Sequence, residues 1–268
     1  MNQITLVQAI LLSIMALVVG IDMYLEFLFI FRPIIVSTLT GLILGDLRIG
    51  LITGALVELS FAGLTPVGGT QPPNPVLAAI MAPVIAHTSG IGANGALGLA
   101  LPFSFLMQYI ILFYYSSFSL FIPKLTTYAK KGEIKKYTRL ACLTVMIVGI
   151  TYAIIVFLCA YMAQEPMRIL VDIMPGWLTN GFEVAGGILP AVGFAILLRM
   201  QFKIEYTPYL ILGFLLASFL QFGNLLPVAL AGAAIAMYQF FEEYKKIKAP
   251  ASGRANLEYV EEDYSNGI

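Results

Sequence analysis

Residues 58–75 read ELSFAGLTPVGGTQPPNP, and their four prolines and three glycines predict a break in helical structure. The surrounding sequence is apolar, because no Asp, Glu, Lys or Arg occurs between Glu58 and Lys124. A bilayer tolerates irregular backbone only where protein buries it or water fills a cavity beside it. Two interpretations follow. The stretch lines a solute path, or it is a water-exposed loop between two spans, since turn residues also dominate ordinary connections.

The composition places the chain in a membrane. Of its 268 residues, 59% are hydrophobic and 11% are charged, whereas soluble domains carry about 25% charged residues. The net charge is zero, so no basic surface suggests nucleic acid. Cys142 and Cys159 share one apolar run without CxxC spacing or a neighbouring histidine, which favours core residues over a metal or redox site. No cofactor or metal is predicted.

Apolar segments of different lengths predict an all-α polytopic membrane protein with broken or re-entrant helices. Residues 4–21 are long enough for a first span, retained rather than cleaved as a signal peptide, and residues 140–164 form a second clear span. By contrast, only nine apolar residues, 49–57, precede Glu58. This is too short to cross about 30 Å of hydrocarbon as a helix. A half-span entering an irregular segment is the geometry that many transporters use at their substrate site.

Basic residues indicate the orientation of the chain. Between Lys124 and Arg139, six basic residues face a single acid, Glu133, and the positive-inside rule predicts a cytoplasmic segment. This segment either sets the topology alone or also docks an acidic cytosolic partner. Residues 1–248 are predicted to form the membrane domain, and residues 249–268 a polar tail with the C-terminus in the cytoplasm.

One cation lies deep in apolar sequence. Arg32 stands next to the helix breaker Pro33, and Asp22 and Glu26 precede it at helical spacing on one face. A charge in such a position is costly and therefore a functional candidate. We expect a structural ion pair, Glu26 with Arg32 or alternatively Asp22 with Arg32, in preference to direct ligand contact.

A second glycine- and proline-containing segment resembles the first. Residues 181–194, GFEVAGGILPAVGF, place Glu183 before an Ala-Gly pair and Pro190, much as Glu58 precedes Ala62-Gly63 and Pro66. The similarity is short and compatible with chance. Two such segments in corresponding halves are nevertheless the sequence sign of a transporter built from a pseudo-repeat.

The only histidine has two interpretations. His87 would serve a phosphoryl-carrier or proton relay only with charged neighbours, and none is near it in the sequence. A hydrogen-bonded histidine at a helix end is the simpler reading. Because the cysteines also lie within a span, the chain offers no solvent-facing phosphoryl acceptor.

The quoted stretches, together with residues 39–60 (LTGLILGDLRIGLITGALVELS), resemble the IIC component of mannose-type sugar phosphotransferase systems. The resemblance extends over essentially the whole chain and is strongest to the N-acetylgalactosamine or galactosamine branch, including the terminal EEDYSNGI. It implies a multi-pass protein of the bacterial inner membrane with an elevator-like core and an oligomerisation domain. It also implies a membrane partner, IID, cytoplasmic IIA and IIB phosphocarriers, and a trimer of IIC–IID pairs. Phosphoryl transfer would belong to IIB, so this chain would be a transport subunit and not an enzyme.

The same resemblance assigns sugar-binding residues. Carried over to matching positions, the site comprises Glu58, Gln71 and Asn74, with Thr70 and Glu183 as second choices; carboxylate and amide groups suit a polyhydroxylated ligand. The QPPN run at 71–74 differs from the mannose branch, so individual contacts transfer poorly there. We expect an amide at Gln71 or Asn74 to donate to an acetamido carbonyl.

Three alternatives remain open. The same residues fit mannose or sorbose as the substrate. Intramembrane acids and broken helices suit an ion-coupled secondary sugar transporter equally well. A scaffold or receptor without transport activity is the third class, and it predicts that Glu58→Gln leaves sugar uptake intact.

Overall fold

The computed structural model describes residues 3–64, 71–162, 169, 171, 173–219 and 226–248. Within these residues the protein is helical and contains no strand. The helices are α1 (Leu6–Leu25), α2 (Pro33–Leu44), α3 (Leu47–Phe61), α4 (Pro75–Ser89), α5 (Ala93–Phe118), α6 (Ile122–Lys130), α7 (Ile134–Phe157), α8 (Gly176–Gln201), α9 (Thr207–Phe219) and α10 (Leu226–Lys248). A 3₁₀ turn joins α5 to α6, and a π-helical turn, Leu158–Met162, extends α7.

Four segments of the described chain are long and apolar enough to cross a membrane: Leu6–Leu25, Ala93–Lys130, Ile134–Met162 and Gly176–Gln201. Shorter apolar helices stand between and after them. The prediction of a helical, polytopic membrane protein is therefore confirmed. The segment around Glu183, whose crossing the sequence left open, is one continuous helix of 26 residues with Pro190 inside it.

The third helix is short enough for the predicted half-span, which stays a prediction. α3 has 15 residues, about 22 Å at 1.5 Å per residue, which is shorter than the hydrocarbon core. It forms a hairpin with α2, in which Gly45 takes a left-handed conformation (φ 80°) and Asp46 caps α3 by accepting from the Ile49 amide at 3.0 Å. The two helices touch at glycines, since a Cβ added at Gly41 would lie 2.7 Å from the Cα of Gly50.

α4 lies at the centre of the first compact unit, Met1–Gln201. It packs against α2, α3 and α5, and nearly all its residues are buried. Ser37 of α2 donates to the Ala79 carbonyl at 2.7 Å, which fixes the hairpin onto it. Where α4 begins, the hydroxyl of Ser104 in α5 donates to the backbone carbonyl of Asn74. The backbone amide of Asn74 donates to the backbone carbonyl of Ser104. Both backbone polar groups of Asn74 are therefore paired.

α8 packs on α5 and α3 through glycines. A methyl group at Gly186 would overlap the carbonyl oxygen of Asn94, and one at Gly193 would overlap the carbonyl of Leu59. The glycines of this helix thus form a helix-packing surface. α1 packs against α7 in the same way, where Gly20 meets the ring of Tyr152.

The second compact unit comprises Phe202–Ile268. Its described part contains α9 and α10, and the side-chain amide of Gln239 donates to the hydroxyl of Tyr209 between them. Most of its large apolar side chains are exposed in the single chain. The predicted domain boundary at residue 248 and the tail at 249–268 lie at the end of and outside the described residues, so both stay predictions.

Candidate functional site

The site begins with an irregular segment between α1 and α2. Two non-glycine residues there have left-handed backbone, Glu26 (φ 49°) and Phe29 (φ 58°). The buried carboxylate of Asp22 accepts from the amides of Leu28 at 2.7 Å and Phe31 at 3.3 Å. A buried carboxylate paired with amides in this way is stabilised without a counter-cation. Asp22 therefore shapes the segment that carries Arg32.

Arg32 forms its ion pair with Glu58 of α3, near the helix end, and not with Glu26. The expected Glu26–Arg32 pair is thus wrong. Arg32 pairs with Glu58 because the α2–α3 hairpin brings the end of α3 back beside the start of α2. Sequence distance favoured Glu26, six residues away, whereas the tertiary fold brings Glu58 from 26 residues away.

Glu58 also completes the N-terminus of α2. Arg32 is the N-cap residue without a side-chain cap, and Pro33 has no amide hydrogen. The other carboxylate oxygen of Glu58 accepts the amide of Ile34 at 3.2 Å. A negative charge at a helix N-terminus is favourable. The side chain of Glu58 remains 18% exposed, and a carboxylate has about four acceptor positions, so it retains capacity for a ligand.

A cavity of about 200 Å³ opens beside this pair. Residues from three stretches line it: the irregular segment, the end of α3 and the start of α4. The polar and charged members are Glu26, Arg32, Glu58 and Gln71, and Met23 and Phe31 add apolar surface. A concave site with a few convergent polar groups at a helix break is what a small polar solute requires.

Gln71 lies at the inner edge of the cavity and is held in place. The side-chain amide of Gln108 donates to its backbone carbonyl, and the hydroxyl of Tyr115 donates to its Oε1 at 3.4 Å. Its side-chain amide nitrogen has no described protein acceptor within hydrogen-bond distance. The structure thus brings Gln71 together with Glu58, as the sequence predicted.

Asn74 lies near them but is fully buried. Its Oδ1 accepts from the Leu77 amide at 2.9 Å, which caps α4, and its Nδ2 donates to the hydroxyl of Tyr152 at 2.6 Å. The Tyr152 hydroxyl in turn donates to the sulfur of Met23 at 3.3 Å. This network ties α1, α4 and α7 together, and it gives Asn74 a structural task behind the cavity wall.

The other predicted residues lie elsewhere. Thr70 is outside the described residues. Glu183 is exposed on α8, and its carboxylate lies near Gly92, which precedes α5. The cavity is at the opposite end of α4, about 22 Å away for 15 residues. Thus the structure does not bring Glu183 to the cavity that contains Glu58.

The remaining candidates take ordinary positions. His87 is half-buried in the last turn of α4, as the helix-end interpretation expects. Cys159 is buried and Cys142 is exposed, so only one of the two predicted core cysteines is in the interior of the chain. In the described part of the chain, no group of His, Cys, Asp or Glu is arranged to hold a metal ion.

Two residues at the site escaped the sequence argument. Tyr115 and Tyr152 lie in long apolar helices, and nothing in their spacing marks them. Their partners, Gln71 and Asn74, are 44 and 78 residues away. Only an alignment that recorded correlated changes would have signalled such pairs.

Comparison with known proteins identifies the class. The family model described as "PTS system sorbose-specific iic component" matches residues 6–238, and the chain belongs to this family. It is a sugar permease subunit of the phosphotransferase system, which works with the other components of that system. The resemblance stated from the sequence is therefore confirmed.

A curated relative and two solved structures narrow the comparison. The chain is 56% identical, over the full length of both proteins, to N-acetylgalactosamine permease IIC component 1 of Escherichia coli (strain K12). Its relatives are named permeases, which confirms the expectation of a transport subunit rather than a phosphotransferase. A chain titled "Structure of membrane protein" matches 89% of this chain and 96% of its own length with a TM-score of 0.80 and 24% identity. A chain from "CryoEM Structure of Mannose Transporter ManYZ and Microcin E492 (MceA) complex" matches 95% of this chain and 100% of its own length with a TM-score of 0.58 and 24% identity. Both show the fold.

Proposed function

We propose that this chain is the subunit that binds an amino sugar, N-acetylgalactosamine or galactosamine, and passes it across the bacterial inner membrane for phosphorylation by IIB. The observation that carries the proposal is the cavity at the helix break, where Glu58, Arg32 and Gln71 converge. The 56% identity to a permease named for N-acetylgalactosamine supports the substrate.

Glu58 is the principal acceptor for sugar hydroxyls in this proposal. Arg32 and the start of α2 hold its carboxylate in one orientation, so little side-chain entropy is lost when a ligand binds. Arg32 is itself half-exposed and lines the same cavity. Gln71 adds an amide donor, while Asn74 acts by fixing the segment that carries Gln71.

The partners follow from the resemblance. We expect a IID subunit in the membrane, IIA and IIB in the cytoplasm, an elevator-type movement of the sugar-carrying core, and a trimer of IIC–IID pairs. One similar solved structure is that of the mannose transporter ManYZ with microcin E492, which supports a paired membrane component. Extensive exposed apolar surface on the single chain is available to lipid and to such a partner.

The basic residues near α6 and at the end of α10 support a cytoplasmic C-terminus. A reporter enzyme active only in the cytoplasm, fused after residue 268, tests this orientation. Activity supports the proposal, and activity of a periplasm-dependent reporter at the same position contradicts it.

The test of function is uptake of radiolabelled N-acetylgalactosamine in cells that lack their own system. Accumulation of the phosphate ester only with this chain, IID, IIA and IIB together supports group translocation. Accumulation of unmodified sugar by this chain alone, abolished by a protonophore, would instead make it an ion-coupled transporter. Preferential uptake of mannose or sorbose would contradict the proposed substrate but not the proposed group translocation.

Glu58→Gln tests the site within the same assay. The amide still accepts from Ile34 but loses the charge that pairs with Arg32 and binds sugar hydroxyls. Because hydrogen bonds to charged groups contribute about 1.5–3 kcal/mol, we expect uptake at low sugar concentration to fall about 10- to 100-fold. Glu205→Gln in the second unit is the matched control. Wild-type uptake by Glu58→Gln would favour a receptor or scaffold.

A further inference from the structure

A second, smaller cavity adjoins the first. It has a volume of about 90 Å³ and lies between the end of α1, the middle of α5 and α7. Met23, Glu26 and Gln71 line both cavities, so the two are neighbours with a shared wall. The side cavity is too small for a second sugar ring, but it has room for a substituent of a few non-hydrogen atoms.

The inner surface of the side cavity is apolar in effect. Of its four tyrosines, Tyr24 is exposed. The hydroxyls of the other three are paired: Tyr152 with Asn74 and Met23, Tyr114 with Thr151, and Tyr115 with Gln71. The rest of the wall includes the side chains of Ile111 and Val148. A group that enters therefore meets aromatic rings, aliphatic carbons and a thioether, which favours a methyl group and disfavours a charge.

Polar groups stand at the shared wall. The hydroxyl of Tyr115 donates to Oε1 of Gln71, and this bond sets the amide so that its Nε2 is left to donate. The carboxylate of Glu26 forms no ion pair with any described residue, and it accepts hydrogen bonds only. One donor and one acceptor thus flank the entrance to an apolar space.

We propose that the side cavity is the acyl subsite for an N-acylated amino sugar, resting on the proposed amino-sugar substrate. The sugar ring occupies the larger cavity beside Glu58, and its acetamido group points into the smaller one. Gln71 donates to the acetamido carbonyl, Glu26 accepts its N–H, and the methyl group packs against Val148 and Ile111. Tyr115 is a positioning residue that acts through Gln71.

The geometry distinguishes an acetamido group from a hydroxyl group or an ammonium group at the same position of the sugar. A hydroxyl group would leave the apolar space unfilled and Gln71 without its acceptor. An ammonium group would pair with Glu26 but would not enter the apolar space, because desolvating the charge there is unfavourable. Only an acyl amide uses the donor, the acceptor and the apolar surface together.

Acyl chain length tests the subsite directly. Unlabelled N-acetyl-, N-propanoyl- and N-butanoylgalactosamine are compared as competitors of radiolabelled N-acetylgalactosamine uptake in cells with the complete system. In the wild type we expect N-butanoyl to compete at least about tenfold more weakly than N-acetyl, since a filled apolar pocket rejects extra methylenes. Val148→Ala should reduce that ratio by about fourfold, the value of one buried methylene. Val156→Ala is the control, because Val156 is buried on the same helix away from the cavity and loses the same volume.

Tyr115→Phe tests the positioning role. Removal of the hydroxyl frees the Gln71 amide, so N-acetylgalactosamine should compete about 2- to 10-fold more weakly, with galactosamine unaffected. Tyr109→Phe, an exposed tyrosine on α5, is the control and should keep both values. An equal loss for both sugars would show that Tyr115 is merely structural.

The outcomes separate the two proposals. Failure of the wild type to take up N-acetylgalactosamine with all components present overturns the proposed function, and the subsite with it. Uptake that ignores acyl length, or a Val148→Ala variant that keeps the wild-type ratio of N-butanoyl to N-acetyl competition, overturns the subsite alone. A gain for the longer acyl chains in Val148→Ala cannot come from misfolding and supports the assignment.

Discussion

Replacing Asn74 by alanine is expected to destabilise the fold rather than to remove a ligand contact. The residue was a sugar-binding candidate by sequence, yet its side chain is buried and hydrogen-bonded to α4 and to Tyr152. Its backbone groups pair with Ser104, and these bonds survive the substitution. The side chain alone is therefore what the change removes.

Two contributions set the magnitude. Losing an asparagine N-cap costs about 1 kcal/mol of stability. Removing Nδ2 leaves the buried Tyr152 hydroxyl without its donor, which costs about 1–3 kcal/mol. We expect a total loss of about 2–4 kcal/mol in the free energy of unfolding. Asn74→Ser keeps the cap and should be about 1 kcal/mol less damaging.

The assay is unfolding of the purified protein in mixed micelles at increasing denaturing detergent, followed by its helical circular dichroism. A double-mutant cycle with Tyr152→Phe isolates the hydrogen bond. In the Tyr152→Phe background no hydroxyl remains to be stranded, so Asn74→Ala should cost only the cap, about 1 kcal/mol.

Two results would refute this reasoning. Equal costs of Asn74→Ala in both backgrounds would show that the Tyr152 contact contributes nothing. Wild-type stability together with lost sugar uptake would return Asn74 to the ligand site.

Three further predictions concern positions around the cavity and α8. Gly186→Ala should lower the thermal stability of the purified protein, because the methyl overlaps the Asn94 carbonyl, whereas the adjacent Gly187→Ala meets only ordinary contacts and should not; equal melting temperatures would contradict the packing. Arg32→Gln should reduce sugar uptake by about tenfold or more while the protein stays folded, since the half-exposed ion pair adds little stability; full uptake would remove Arg32 from the site. Glu183→Gln should leave the uptake ratio of N-acetylgalactosamine to galactosamine unchanged, and a shifted ratio would place its carboxylate in sugar selection.

The sequence predicted much of the architecture because the bilayer restricts it so strongly. Segment length and the lack of charge identify α1 and α7 as spans, and nine apolar residues before Glu58 predict the short α3. Proline and glycine act through local backbone conformation, so a break in this region was predicted without any knowledge of neighbours. The structure continues α3 to Phe61 and begins α4 at Pro75, and residues 65–70 lie outside the described residues. Glu58 and Gln71 were assigned to the sugar site by the family resemblance.

The sequence did not predict which side chains form ion pairs and hydrogen bonds with each other. Arg32 was assigned to Glu26 because closeness along the chain was the only distance that the sequence supplies, whereas the α2–α3 hairpin places Glu58 beside it. Glu183 looked equivalent to Glu58 in its local sequence, but α8 runs through Pro190 without a break and carries it away from the cavity.

The sequence by itself determined the environment, the helical class, the helix break and the family, since each rests on composition, local backbone preference or motif. Only the tertiary structure decided which polar groups meet: Glu58 with Arg32, Gln71 with Tyr115, and Asn74 with Tyr152. The physical reason is that hydrogen bonds and ion pairs act over about 3 Å in space, while the partners are 26 to 78 residues apart along the chain. Helix packing at the glycines of α1, α2, α3 and α8 sets those distances.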